Sequence, residues 1–75
     1  MSIDAQAVGK QIAYLRKNKG LTQSELGERL NISFQAVSNW ERGASLPDIA
    51  LLADLAHILE TSVDYILTGD QCALN

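Results

Sequence analysis

Residues 22–43 read TQSELGERLNISFQAVSNWERG, and the fold turns on this stretch. Thr22 stands before a run with Glu25 three positions on. A hydroxyl there can take a free helix amide while the carboxylate reaches back, the pattern of a capping box. The run predicts a helix over Gln23–Leu30. Ser33 can cap a second helix over Phe34–Glu41, and Gly43 suits the left-handed residue that often follows a helix end. Only a tight turn lies between the two helices, and such a turn makes steric demands. Four residues after Gln23, where the backbones approach most closely, a large side chain would wedge them apart; Gly27 stands there, although glycine lowers helix propensity by about 1 kcal/mol relative to alanine. Eight residues after Gln23 the turn needs positive φ; Asn31 stands there, the side chain most tolerant of that region after glycine. Leu26, Leu30, Ile32, Val37 and Trp40 supply the inward positions, with Val37 and Trp40 three apart on one helix face.

Helical signals continue on both sides, and alternating strand patterns are missing. Val8, Ile12 and Leu15 recur at i, i+4, i+7 and predict a first helix from Asp4 to Asn18, ended by Gly20. A fourth helix follows Pro47, capped by Asp48, with Ile49, Leu52, Ala53, Ala56 and Leu59 read as its buried face. Ser62 caps a short fifth helix through Leu67, and Gly69 closes the globule. The expected fold class is all-α: one compact five-helix domain over residues 1–69, with residues 70–75 as a frayed tail.

A chain of 75 residues buries only about 60% of its unfolded surface, which leaves little room for a deep pocket. The single cysteine, Cys72, excludes an intrachain disulfide and a multi-cysteine metal site. His57 stands alone on a helix and reads as a surface or rim residue. No nucleophile, base and orienting group come together, so an enzyme is not expected, and neither is a cofactor, metal or small-molecule site. No apolar run approaches a membrane span and no signal-peptide pattern opens the chain, so the expected location is cytoplasmic, with no membrane partner.

The net charge of −3 argues against a polyanionic partner if spread evenly, but it is not. Residues 1–42 hold all six basic side chains, Lys10, Arg16, Lys17, Lys19, Arg29 and Arg42, against four acids, a balance of +2. Residues 43–75 hold five acids and no base. Such polarity suits one face turned to phosphates, and it equally describes an ordinary solvated surface.

From about Val8 to Leu67 the chain resembles the phage-repressor-like helix-turn-helix family of Cro and C1 repressors. The matching text is LTQSELGERLNISFQAVSNWERG, LPDIALLADLAHIL and SVDYILTG. The resemblance implies a five-helix, lambda-repressor-like DNA-binding domain whose second helix rests over the DNA backbone and whose third enters the major groove of double-stranded DNA. The function implied is that of a sequence-specific transcriptional regulator, in the repressor role. The chain departs from the usual pattern at Gly27, often alanine, Asn31, usually glycine, and Glu60, often glycine. Glu60 leaves the end of the fourth helix open.

With Val37 and Trp40 inward, the outward positions of helix three are Phe34, Gln35, Ser38 and Asn39, with Ala36 between. Amides pair bidentately with the N6 and N7 edge of adenine, which makes Gln35 and Asn39 the expected base readers. Phe34 has two readings: contact with a thymine methyl, or packing against the end of helix two. Phosphate contacts are expected from Thr22, Gln23, Ser33 and Arg42, at helix starts and flanks that suit an anion. Lys17 and Lys19 read as solvated or distant steering charges. In the resembled family, residues at the positions of Arg16 and Glu41 form an ion pair between helices one and three, and the residue at Gln23 bonds a phosphate and braces the reading helix.

Leu51, Leu55 and Ile58 repeat at i, i+4, i+7 with Tyr65 beside them, apart from the expected buried face. One reading is a symmetric homodimer that sets two reading helices about 34 Å apart on a pseudo-palindromic operator. The other is a stripe that wraps round the core or covers a further domain. The rival to DNA reading is a protein-interaction or antitoxin-like adaptor on the same five helices, which the acidic second half permits. The chain is either a whole small regulator or the DNA-binding part of a longer one.

Overall fold

Helix starts in this chain are fixed by side chains that take over free backbone amides. Asp4 accepts from the Gln6 N–H at 3.0 Å, Asp48 from Leu51 at 2.9 Å and Ser62 from Tyr65 at 3.0 Å. Thr22 and Glu25 form the reciprocal box: the Thr22 hydroxyl accepts from the Glu25 N–H at 3.0 Å, and Glu25 accepts from the Thr22 N–H at 2.8 Å. Ser33 departs from expectation. It occupies the cap position with extended backbone, but its hydroxyl makes no capping bond; the Ala36 N–H reaches the Ser33 carbonyl oxygen at 3.2 Å instead.

The computed structural model describes residues 3–69, so the expected tail at 70–75, with Cys72, lies outside the described residues. Five helices form, α1 (Ala5–Asn18), α2 (Gln23–Leu30), α3 (Phe34–Glu41), α4 (Ile49–Ile58) and α5 (Val63–Thr68); the described residues contain no strand. Helix α1 packs on α3 and α5, α2 on α3 and α4, and α4 on α5. All five helices feed one core: Val8 and Ile12 of α1, Leu26 and Leu30 of α2, Val37 and Trp40 of α3, Leu52, Leu55 and Ala56 of α4, Leu59 just beyond it, and Ile66 of α5.

The buried face of α4 differs from the sequence reading. Ile49 is 85% exposed and Ala53 is exposed, whereas Leu55, read as part of an outward stripe, is wholly buried. The sequence IALLADLAHI is apolar nearly all round. Both 49/52/53/56 and 52/55/56/59 have helical spacing, so only the positions of α2 and α5 decide between them. Ile49 opens the first turn and stays outside the core. Leu51, Ile58 and Leu67 are partly buried against the core.

The turn between α2 and α3 meets its steric demands more tightly than the sequence required. Asn31 adopts φ 60° and ψ 38°, and the Ile32 N–H bonds the Gly27 carbonyl oxygen at 2.9 Å. A β-carbon on Gly27 would lie 2.9 Å from the Ile32 carbonyl oxygen and 3.2 Å from the Ser33 carbonyl carbon, so even a methyl group is crowded.

Helix α4 ends at Ile58, and Glu60 follows in the left-handed region at φ 57°. Its carboxylate lies 2.7 Å from the Lys19 ammonium, whose hydrogen bond and charge hold the Glu60 carboxyl below its ordinary range. An exposed pair of this kind adds little, while a β-carbon at positive φ is strained. Glu60→Gly is therefore expected to match or exceed the wild-type melting temperature. The ion pair stabilises above the ordinary carboxylate range and fades as pH falls through the lowered pKa, so the variant's advantage should widen in acid. Calorimetry at neutral and acidic pH checks this, and a clear fall in melting temperature at both would count against it.

Candidate nucleic-acid interface

Helix α3 is held from behind. Val37 and Trp40 are buried between α1 and α2, while Phe34 and Gln35 stand exposed at its start and Ser38 and Asn39 are half-open. Phe34 retains 53% of its surface, so packing against the end of α2 does not bury the ring. The result is a short helix with an anchored inner face and an outer face carrying one aromatic ring, two amides and a hydroxyl.

The anchoring extends to a polar cluster joining α1, α2 and α3. Arg16 meets the Glu41 carboxylate with two parallel bonds, Nε to Oε2 at 2.6 Å and Nη2 to Oε1 at 3.0 Å. Its Nη1 also donates to the Leu21 carbonyl oxygen at 2.8 Å. The two side chains are only 10% and 9% exposed. The hydrogen bond to Glu41, with the charge of Glu41 beside it, raises the Arg16 pKa above its ordinary value. Gln23 Nε2 completes the cluster by donating to Glu41 Oε1 at 3.0 Å. Glu41 is therefore neutralised and does not present a free negative charge beside the outer face of α3.

The other expected phosphate contacts are more mixed. The backbone N–H of Thr22 is already taken by Glu25, so Thr22 would meet an anion through its hydroxyl proton. Ser33 keeps its hydroxyl outside the helix cap. Arg42 lies exposed at the end of α3, and its Nη2 donates to the Asn39 Oδ1, a contact that sequence spacing did not suggest. Lys19 is engaged with Glu60 at 2.7 Å, so it is tied to the end of α4. His57 is exposed. Of the far-face stripe, Leu51, Ile58 and Tyr65 stay half-buried, and Leu55 is removed from it by its burial.

Sequence reasoning passed over Gly9. A β-carbon there would lie 2.1 Å from the Trp40 carbonyl oxygen and 2.9 Å from that of Glu41, so α1 and α3 touch backbone to backbone just behind the outer face. The available signal was a glycine inside an otherwise helical pattern, which is unfavourable without a packing reason.

Among the described residues no helix is long and apolar enough to cross a membrane. No group of three or more His, Cys, Asp or Glu is placed there to hold a metal ion.

Residues 12–66 match the helix-turn-helix family model. The HTH-type transcriptional regulator DicA of Escherichia coli (strain K12) is 44% identical over 64 residues, covering 85% of this chain and 47% of DicA. A crystal structure of the phage P22 c2 repressor with a synthetic operator aligns with TM-score 0.82 and 37% identity over 87% of this chain and 98% of that one. The biofilm regulator SinR in complex with DNA aligns with TM-score 0.73 and 32% identity over 79% and 95% of the two chains. The chain spans 47% of the length of DicA and 34% of that of the repressor C2 of Salmonella phage P22, about half or less of these curated relatives.

Proposed function

Because the chain belongs to the phage-repressor-like helix-turn-helix family, we propose that it reads double-stranded DNA as a sequence-specific transcriptional regulator, in the repressor role, with α3 in the major groove. Its relatives are named as regulators and repressors, and the similar P22 c2 and SinR structures contain DNA. The observation that carries the reading is the outer face of α3: Phe34 and Gln35 stand exposed while the same helix is anchored through Val37, Trp40 and the Arg16–Glu41 pair. A rigid helix with amides outward has the chemistry for base edges.

Phe34, Gln35, Ser38 and Asn39 are the base-facing set in this proposal, with the ring of Phe34 against a thymine methyl. Thr22, Gln23, Ser33 and Arg42 face phosphate, and Arg16 and Glu41 hold the frame. The DNA-binding unit spans residues 1–69. With a balance of only +2 over residues 1–42, one copy has little electrostatic attraction to DNA, so a homodimer on a pseudo-palindromic operator is the form we assign. Its contact lies on the acidic α4–α5 half, where Leu46 and Ile49 are exposed and Leu51, Ile58 and Tyr65 are half-buried. The acting location is cytoplasmic.

Selection from a random duplex pool tests this. The expected yield is an inverted repeat with half-sites about 10 base pairs apart, bound with an affinity that falls linearly in log–log form as salt rises. Gln35→Ala should lose about tenfold or more on that site and flatten the preference at one position per half-site. Enrichment of no sequence, with binding indifferent to salt, would favour the adaptor reading.

A further inference from the structure

We infer that Phe34 is a sensor of the pyrimidine C5 methyl group, so that the chain accepts 5-methylcytosine where it passes over cytosine and thereby distinguishes methylated from unmethylated DNA. The inference rests on the DNA-reading proposal and extends it from base sequence to the modification state of the duplex.

The ring is committed outward. Phe34 keeps 53% of its surface, and of the exposed large apolar side chains, Ile3, Tyr14, Phe34, Leu46 and Ile49, it alone stands on α3. Its backbone is held from behind. A β-carbon on Gly27 would lie 3.3 Å from the Phe34 nitrogen, so the start of α3 is seated on α2 while more than half of the residue stays open. Residues 32–40 carry no charged side chain. That stretch therefore offers no carboxylate to accept from the cytosine amino group and no cation to take the guanine edge.

A phenyl ring has no polar donor or acceptor, so it cannot read the hydrogen-bond pattern of a base edge. It can read apolar surface, which the major groove presents as the C5 methyl of thymine. Cytosine carries a hydrogen on the same ring carbon. Methylation of that carbon puts the same group in the same place and leaves the pairing edge and the N4 amino donor as they were. To the ring, 5-methylcytosine is therefore closer to thymine than to cytosine. The amides of α3 still see whether the opposite base is adenine or guanine, so the order of preference is thymine, then 5-methylcytosine, then cytosine. Covering one methyl group is worth about fourfold in affinity. In a homodimer the contact occurs in both half-sites and the factors multiply, to about fifteenfold.

The test uses the site selected by the wild-type protein, synthesised with single changes. Uracil in place of each thymine deletes one methyl group and leaves every hydrogen-bonding edge intact. At the thymine so located, cytosine and 5-methylcytosine are then compared. Affinities are measured for wild type, Phe34→Ala and Phe34→Leu. At one thymine per half-site, wild type is expected to lose about fourfold on uracil and to gain about fourfold from cytosine to 5-methylcytosine. Phe34→Leu keeps an apolar side chain and should retain part of both effects, whereas Phe34→Ala should show neither. Phe34 lies outside the buried core, so both variants should melt close to wild type, which circular dichroism checks. Three results would overturn the inference: uracil tolerated at every thymine, no gain from 5-methylcytosine at the uracil-sensitive position, or methyl effects of full size persisting in Phe34→Ala. A wild-type protein that enriches no sequence at all defeats the DNA reading itself, and is distinguished from those three by the absence of any selected site.

Discussion

Gly9→Ala should melt roughly 15 °C below the wild type, the largest loss expected from adding one methyl group to this chain. The added β-carbon would stand 2.1 Å from the Trp40 carbonyl oxygen and 2.9 Å from that of Glu41. Both obstacles are backbone, so no rotamer change relieves them, and α1 must withdraw from α3 by about an ångström to restore ordinary contact. Withdrawal opens the packing of Val8 and Ile12 against the shared core and lengthens the Arg16–Glu41 bonds. Overpacking costs about 1–3 kcal/mol and sometimes more. A collision between two backbones, with a gap of only 2.1 Å, belongs just beyond that range, at about 4 kcal/mol, and the better helix propensity of alanine returns about 1 kcal/mol of it. A net loss of about 3 kcal/mol is large against the roughly 4–11 kcal/mol that holds a chain of this length folded. Gly20→Ala is the control. No atom lies within 4 Å of a β-carbon there and only its φ of 70° is at stake, so about 1 kcal/mol is expected. Thermal unfolding followed by circular dichroism decides it, and a Gly9→Ala protein melting within about 3 °C of wild type would mean the helices are not in such close contact.

That glycine also marks the limit of what the sequence reveals. Residues 22–43 could be read because their constraints are local: a cap satisfied three residues on, a turn residue at positive φ, two inward positions three apart. Asn31 and the Thr22–Glu25 box follow from such short-range rules. The contact of Gly9 with Trp40 joins residues 31 apart in sequence, and its only local trace is the unfavourable glycine itself. Helix α4 fails differently. Its apolar residues surround the axis, so two faces satisfy the same period, and the exposure of Ile49 with the burial of Leu55 is decided by neighbours rather than by its own text. The candidate site divides along the same line. The outward direction of Phe34 and Gln35 follows from the inward direction of Val37 and Trp40, whereas the Arg42–Asn39 bond and the missing Ser33 cap depend on side-chain choices that spacing leaves open.

Those choices also explain how a chain with few basic residues can present a defined face. The outer surface of α3 needs no large positive field if its orientation is fixed beforehand, because less ordering is then left to binding. Gly9 sets how closely α1 approaches, Gly27 sets how closely the turn closes, and the cluster around Glu41 fixes the far end of α3 to the first turn of α2. Gln23 stands in both roles: its amide nitrogen donates to Glu41, and its place at the start of α2 is among those proposed to meet phosphate.

Glu41→Ala is expected to remove about 3 kcal/mol, the lower end of the range for breaking a buried pair. The end of that range is set by position, since the two side chains lie at the core's edge and keep 10% and 9% of their exposure. Loss of the carboxylate leaves Arg16, buried and charged, with the Leu21 carbonyl oxygen as its remaining bond from this cluster, and it releases Gln23 from α3. Removing both charges has a different result. Arg16→Met with Glu41→Leu fills similar volume without an unpaired charge, and such replacements are commonly neutral or stabilising, so the double variant should recover most of the loss. Urea unfolding of the single and double variants measures the cycle. If Glu41→Ala costs under about 1 kcal/mol, the pair behaves as an exposed one. DNA binding supplies the second readout. The double variant should fold well yet bind the selected site more weakly than wild type, because no carboxylate then orients Gln23, whereas full affinity would show that the brace between α2 and α3 has no part in the interface.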